Sequence, residues 1–429
     1  MKKKILFICP YFPPYGSGGA ERTSLLHAEI LIKNGYEVSI ITPSYGDKYE
    51  TNNSFEIIRF DIGKKIKLGE QISPRIFYNP ITQNKLKKKI LESFNSDDLK
   101  CIHVQHHFLL RGAALAAEKL DVPLISHIRD TGLFCSLGGC CLIYEKPDKI
   151  PYLKNPIKHH IWCYFRNWIK FQEINNLFNF SYGFIKSFIP LTVFLNNRSH
   201  LKNSKKIIFA SKNLKKIYKQ TLEKKYYVIL EYVYAVAKKK VNIKIKRNYI
   251  IDEIKKKNNS IILYTGKLSK GKGFEVLLKA FEIVSSKMRK TKLVVCGNGN
   301  ENNIYKNKNI IFLGFISQSE LTYIYKTCDL VVIPSIWPEP LGWSTIDAAI
   351  SKKPVVASKI GGIPEAVINK QTGFLVARND CKAMAKAIIY ILKNKNLSKT
   401  LGENANKFIY KKFGSESILK KLKKIYDNL

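Results

Sequence analysis

The segment Pro334-Ser335-Ile336-Trp337-Pro338-Glu339-Pro340-Leu341-Gly342-Trp343-Ser344-Thr345-Ile346-Asp347-Ala348-Ala349 places two carboxylates eight residues apart. On one continuous helix, Glu339 and Asp347 would stand about 12 Å apart along the axis and within about 80° of each other around it. Carboxylates so placed could grip hydroxyls at the two ends of an elongated polyhydroxyl ligand. The plainer reading, a capping acid and an exposed Asp, does not explain why the acid follows Trp-Pro and precedes Pro-Leu-Gly.

A second candidate is Tyr264-Thr265-Gly266-Lys267-Leu268-Ser269-Lys270-Gly271-Lys272-Gly273, a lysine loop between an apolar run and a helical pattern. Surface lysines are mostly just solvated, but cations at a strand's carboxyl end beside a helix N-terminus suit an anionic diphosphate. Near the start, Gly16-Ser17-Gly18-Gly19-Ala20-Glu21-Arg22 follows the first apolar run. Its glycines admit a close backbone approach to a ligand, and its spacing is not the GxGxxG dinucleotide fingerprint, which argues against an NAD enzyme. Ser126-His127-Ile128-Arg129-Asp130 leaves another strand toward the ligand side, while His127 could equally turn into the core. Cys135, Cys140, Cys141 and Cys163, with His159-His160 nearby, form a loose group whose spacing matches no zinc pattern, so the expectation is no bound metal.

These residues need elements to hold them. Ile5-Leu6-Phe7-Ile8-Cys9, Ser39-Ile40-Ile41, Ile102-His103-Val104, Pro123-Leu124-Ile125-Ser126 and Ile207-Ile208-Phe209-Ala210 read as buried strands alternating with helices or loops. A second series reads Ile261–Tyr264, Lys292–Val295, Ile310–Leu313, Leu330–Ile333 and Pro354–Ala357, with helical patterns over 274–288, 319–326 and 344–350. Alternation of this kind predicts two α/β, Rossmann-like, doubly wound parallel-sheet domains facing a cleft, with ligands at the carboxyl ends of the strands. The expected domains are 1–240, with an aromatic and basic helical insertion at about 155–195, and 241–429, joined by a lysine-rich linker over 238–257.

At 429 residues the chain is too long for a single small module, and 45% hydrophobic residues place it among globular proteins. Its formal charge of +40 comes mostly from lysine, with only about ten arginines among 73 basic residues. Readers of nucleic-acid sequence lean on the arginine fork, so an anionic small molecule or membrane surface is the expected partner, not nucleic acid. The insertion interleaves Trp162, Tyr164, Phe165, Trp168, Phe171, Phe178, Phe180, Tyr182, Phe184 and Phe188 with Arg166, Lys170 and Lys186. It is either a core-packing helical pair or a platform for a lipid-linked acceptor at an anionic membrane. Nine cysteines, several in apolar runs, fit a reducing compartment. Lys2-Lys3-Lys4 and the apolar run after them imitate a signal peptide, which Pro13-Pro14 cuts short, and no stretch of about 18 apolar residues follows. The expected location is cytoplasmic, with peripheral attachment to the inner face of the membrane.

The Glu339 segment resembles the E-x7-E motif of the retaining nucleotide-sugar glycosyltransferases of family 4, which have the GT-B fold. Gly266-Lys267-Leu268 with Lys272-Gly273 resembles that family's G-R-L with K-G, Gly297-Asn298-Gly299 its G-x-G, and Gly361-Gly362-Ile363-Pro364-Glu365 its G-G-x-P-E. Gly18-Gly19-Ala20-Glu21-Arg22 is similar to the glycine loop of its acceptor domain. The resemblance implies that Lys267 and Lys272 neutralise a leaving diphosphate, Glu339 contacts the donor sugar, Asp347 holds the ribose hydroxyls, and Gly18 and Gly19 close over the phosphates. It further implies donor contacts at Gly266, Gly297, Leu341, Gly342 and Glu365, and catalytic roles for Asp130 and for Arg129, which stands where the family usually has His. Lys267 replaces the usual Arg and Asp347 the usual Glu, losing a bidentate fork and a methylene. The implied activity is transfer of a hexose from a UDP- or GDP-linked sugar, as co-substrate and without a cofactor, to a glycan or lipid-linked glycan. With no Asp-x-Asp in the chain, fixed lysines and helix N-termini would stabilise the departing phosphate in place of a metal. The rivals are a GT-B epimerase or phosphorylase, and a non-catalytic basic protein that binds nucleic acid or membranes.

Overall fold

The computed structural model describes residues 4–12, 15, 19–45, 56–65, 75–171, 177–222, 229–230, 246–298 and 307–429, with the backbone alone at 168–171, 177–180, 182, 190 and 229–230. Two compact units emerge: Met1–Ala235 together with Ser415–Leu429, and Val236–Gly414.

In the first unit, β1 (Lys4–Ile8), β2 (Val38–Ser44), β3 (Glu56–Asp61), β4 (Leu99–Val104), β5 (Leu124–Ile128), β6 (Ser204–Phe209) and β7 (Ile229–Leu230) form one sheet in the order β3-β2-β1-β4-β5-β6-β7. Every pairing is parallel; Phe7, for example, lies opposite Ile40 on one side and His103 on the other. β1, β4 and β5 are buried almost throughout, as parallel strands covered on both faces are, with the polar His103, Ser126 and His127 buried among their apolar residues. The second unit repeats the plan with β8 (Ser260–Thr265), β9 (Thr291–Cys296), β10 (Ile310–Gly314), β11 (Leu330–Ile333), β12 (Val355–Ser358) and β13 (Gly373–Val376), in the order β10-β9-β8-β11-β12-β13. Each sheet therefore reverses its winding once, between β1 and β4 and between β8 and β11. A crevice opens at such a reversal, because the loops on its two sides turn away to opposite faces.

Two expectations about domain limits need correcting. The last helix, Ser415–Tyr426, belongs to the first unit and not to the second: Ile418, Leu422, Ile425 and Tyr426 are fully buried in one cluster with Ile5, Phe7, Leu31 and Ile40. Polar contacts fasten it, with Tyr426 OH 2.6 Å from His103 Nδ1 and Lys206 Nζ donating to the Ile425 carbonyl at 2.6 Å. The supposed linker over 238–257 is in its latter half a helix, Tyr249–Lys256, capped by the Asn248 side chain and anchored by buried Ile251 and Ile254. Its first half, 238–245, lies outside the described residues. β3 and β13 were not read from the sequence, and both lie toward sheet edges where half-buried side chains leave a weak apolar signal.

Candidate functional site

In the second unit the site grows from the two loops flanking the sheet's reversal. β8 runs into a 3-10 turn, Lys270–Lys272, that passes into the helix Phe274–Lys287 through Gly273 at φ +70°. A Cβ there would sit 1.9 Å from the Pro334 carbonyl oxygen, so only glycine lets the two loops touch. The Gly271 carbonyl accepts from Ile336 N at 3.0 Å and Trp337 N at 2.9 Å, which hangs the loop after β11 on the lysine turn. Held this way, Lys272 Nζ meets Glu339 Oε1 at 2.5 Å, and Ser335 Oγ donates to the same oxygen at 2.9 Å. The Glu339 side chain is 8% exposed and that of Lys272 37%, so the carboxylate lies beneath the ammonium. From the far side Gly362 N donates to the Glu339 carbonyl at 2.6 Å, and a Cβ on Gly361 (φ +60°) would come within 2.4 Å of that oxygen.

This geometry overturns the helical spacing expected of the two acids. The helix Trp343–Ile350 starts after Gly342, and Glu339 stands in the preceding loop between Pro338 and Pro340, whose rings keep that stretch out of the helix. Asp347 is on the helix and partly exposed. Its charge adds to burial in pushing the Tyr325 phenol well above its usual pKa. A hydroxyl chain from Tyr325 OH to Thr265 Oγ1 (2.7 Å) to Ser344 Oγ (2.8 Å) ties the start of that helix to the end of β8. Lys267 is exposed, and its carbonyl accepts from Tyr264 OH at 2.6 Å. Gly266 and Gly297 occupy the turns ending β8 and β9, with Gly266 N on the Cys296 carbonyl at 3.0 Å; Gly299 lies outside the described residues. Leu341 is fully buried, so its side chain packs beneath the site and has no surface for a ligand. Glu365 follows the Gly361-Gly362 turn on the short helix Ile363–Ala366 and is partly buried.

The first unit assembles different chemistry at its own reversal. Asp130, just past β5, has its carboxylate 2.8 Å from His107 Nε2 and 3.2 Å from His106 Nε2, and accepts from Gly132 N at 2.8 Å. Tyr78 OH holds the other nitrogen of His107 at 3.0 Å, while Tyr218 OH donates to the Asp130 carbonyl at 3.1 Å. Burial opposes ionisation of Asp130, but the two imidazoles, by charge and by hydrogen bond, hold its pKa well below the carboxylate range. Burial lowers that of His106, and the Asp130 charge only partly offsets it. The three ligand atoms lie within 4.8 Å of one another, close enough to share a proton or hold a cation. Arg129 is buried, donating through Nε to the Gln105 carbonyl and through an Nη to Gln105 Oε1, both at 2.6 Å, so it braces the loop after β4. His127 turns inward and stacks between His27 (6.0 Å) and His103 (5.8 Å). Gly19 opens the helix Gly19–Ile32, and Gly18 lies outside the described residues. Sequence reading missed His106, His107, Tyr78 and Ser335; the signal available for the histidines was the polar run Gln105-His106-His107 at the carboxyl end of the strand at 102–104.

Two α/β units, each a parallel sheet that reverses its winding once, have the architecture of the GT-B class. Residues 246–408 match the family described as glycosyl transferases group 1, and residues 17–176 match glycosyltransferase family 4. The chain belongs to this group 1, family 4 class of GT-B glycosyltransferases. It is 24% identical over 434 residues to an uncharacterized glycosyltransferase of Methanocaldococcus jannaschii, covering 99% of this chain and 97% of the relative. The N-acetyl-alpha-D-glucosaminyl L-malate synthase of Bacillus anthracis matches at the same identity and coverage. The capsular polysaccharide biosynthesis glycosyltransferase CapM of Staphylococcus aureus is 30% identical over 40% of this chain, which spans 46% of that protein. Among solved structures, Anabaena HepE in complex with UDP and glucose aligns over the whole of both chains with a TM-score of 0.65 at 17% identity, a likeness of fold.

Proposed function

We propose that this glycosyltransferase moves a hexosyl group, with retention of configuration, from a UDP- or GDP-linked sugar to a glycan or lipid-linked glycan. The observation that carries this reading is the Lys272–Glu339 pair clamped where the second sheet reverses. A lysine ammonium has three donors, so Lys272 can keep Glu339 and still meet a phosphate oxygen. The helix Phe274–Lys287 begins beside it, adding positive N-terminal potential for a departing diphosphate. Glu339 then contacts a donor-sugar hydroxyl, and the partly exposed Asp347 meets the ribose. In this reading lysines and helix termini, not a metal, stabilise the leaving group, and Asp130 takes part in transfer together with His106 and His107. The names of the malate synthase relative and of the UDP-bound neighbour support a nucleotide-sugar donor.

The lipid-linked acceptor has support of its own. The helix Pro156–Phe171 exposes Ile157, Ile161 and Phe165 at four-residue steps, and Leu177–Ser199 exposes Ile185, Phe188 and Ile189. Trp162 faces the other way, its ring 5.7 Å from that of His159, and the side chains of Trp168, Lys170, Phe171, Phe178, Phe180 and Tyr182 lie outside the described residues. No helix among the described residues is long and apolar enough to cross a membrane. An apolar stripe beside Lys158 and Lys186 suits reversible docking on an anionic cytoplasmic leaflet.

A panel of UDP- and GDP-sugars tests the donor. One donor at a hundred times its Kd should stabilise the protein by about 2.7 kcal/mol in a thermal melt. It should also be turned over in the presence of EDTA. If none shifts the melt or is consumed, the reading fails; activity restored only by magnesium or manganese rejects the metal-free mechanism. Loss of anionic-vesicle binding in Ile161→Ser, Phe165→Ser, Ile185→Ser, and its weakening by salt, tests the docking face.

A further inference from the structure

Outside the residues assigned to transfer, one cluster in the first unit has a chemistry of its own. Cys135 and Cys141 lie on the loop that follows Asp130, the second of them inside the 3-10 turn Cys140–Ile143, while His159 and Cys163 are one turn apart on the helix Pro156–Phe171. Four residues along a helix is the spacing that puts two side chains on one face. Their four ligand atoms all lie within 4.8 Å of one another, and the residues are buried, with the three cysteines at 0% and His159 at 3% exposure.

We infer that Cys135, Cys141, His159 and Cys163 form a closed, four-coordinate structural zinc site. The distances fit: zinc bonds of about 2.3 Å to sulfur and 2.0–2.1 Å to nitrogen give tetrahedron edges of about 3.8 Å between sulfurs and about 3.6 Å from sulfur to nitrogen. The observed separations are 3.8 Å for Cys135 Sγ to Cys163 Sγ and 3.7 Å for Cys141 Sγ to His159 Nε2. Outer contacts agree. His159 Nδ1 lies 3.2 Å from the Pro151 carbonyl, which places the ring proton there and turns the Nε2 lone pair toward the sulfurs. Asn167 Nδ2 donates to Cys163 Sγ at 3.2 Å, a bond that favours thiolate. The rings of Trp162 and Phe134 flank His159 at 5.7 and 6.3 Å and help to exclude water. Three thiolates and one imidazole in a dry tetrahedron select zinc over magnesium, calcium or manganese. Binding displaces three thiol protons and leaves a Zn(Cys)3(His) centre of net charge −1, with no open position for substrate.

The sequence spacing matched no zinc pattern because the ligands come from a loop and a helix separated by the 3-10 turn Pro147–Lys149. The site would fasten the loop leaving Asp130 to the base of the helical insertion, and so hold both in place. Cys140 takes no part, since its thiol donates to the Leu137 carbonyl at 2.8 Å.

Elemental analysis of the full chain purified from rich medium should find one zinc per molecule, retained through dialysis against EDTA and released when a mercurial titrates the thiols. Cys135→Ser and Cys163→Ser should each lose the metal, whereas Cys140→Ser keeps it. Should those variants fail to fold, the wild type grown with cobalt should show the intense visible bands of a tetrahedral thiolate site. Purified wild type with little or no metal, a cobalt form without those bands, full zinc in Cys163→Ser, or a Cys135–Cys163 disulfide found by mass spectrometry would each overturn the proposal.

Discussion

The two units share one strand order and build their reversals by opposite means. In the second unit the geometry is carried by backbone: glycines at 273 and 361 admit carbonyls that any side chain would block, and the charged pair Lys272 with Glu339 is positioned by the loops so brought together. In the first unit it is carried by side chains converging from distant places, Asp130 with His106, His107 and Tyr78. A backbone-built site tolerates little change in shape, whereas a side-chain-built one is sensitive to protonation. That difference can be tested at several points.

The largest effect should come from ending the chain at Gly414. Deleting the helix Ser415–Tyr426 exposes the surroundings of four fully buried apolar residues, each worth about 1.5–3 kcal/mol, which exceeds the margin of a typical domain. Calorimetry should then show the first unit's transition lost and the second unit's kept; loss of both would mean the units do not fold separately. Next in size are Glu339→Gln and Lys272→Ala, each expected to lower turnover about a hundredfold or more. They should differ in stability. Lys272→Ala leaves a buried carboxylate with Ser335 alone, at a cost of up to about 3 kcal/mol, while Glu339→Gln releases an ammonium that already reaches water. Equal melting temperatures for the two would show that the burial asymmetry has no energetic weight. Asp130→Asn should lower turnover by roughly tenfold to a hundredfold, because it removes the charge holding two imidazoles while keeping the shape; unchanged turnover would separate the histidine cluster from the reaction.

The most gradual effect concerns acid. Burial, with Arg129 adding to it, pushes His103 down to about 3, and the same causes hold His127 well below its usual value. The unfolded chain takes up those protons near pH 6.5, so stability should be lost as pH falls below about 6.5; for His103 the loss continues toward pH 3 at about 1 kcal/mol per pH unit, and His127 adds to it in the same direction. Asp130 works in the same direction at lower pH: its depressed pKa contributes stability at pH above the ordinary carboxylate value, and that contribution is lost as pH falls below it. Chemical denaturation between pH 7 and 4 should show this slope, and His127→Phe should reduce it; a slope that does not change would place the acid sensitivity elsewhere.

The sequence by itself determined the class. Short unbroken apolar runs such as Ile5–Ile8 and Leu330–Ile333, bounded by turn residues, read as strands covered on both faces, and glycine and proline around residues 266–273, 338–342 and 361–364 announce turns whose shape is a local property. Lys272 and Glu339 were legible because each stands in such a turn, although the contact between the two turns through Gly271 and Ile336 was not. What only tertiary structure decided were meetings between residues with no local reason to meet. Glu339 meets Lys272 from 67 residues away, the last helix returns to the first unit through Tyr426 and His103, and His106 and His107 find Asp130. Cys135 and Cys163 come together in the same way, although 28 residues separate them. Periodicity reports how a segment folds along itself; which segments then touch is set by packing across the sheet, where sequence distance carries no information.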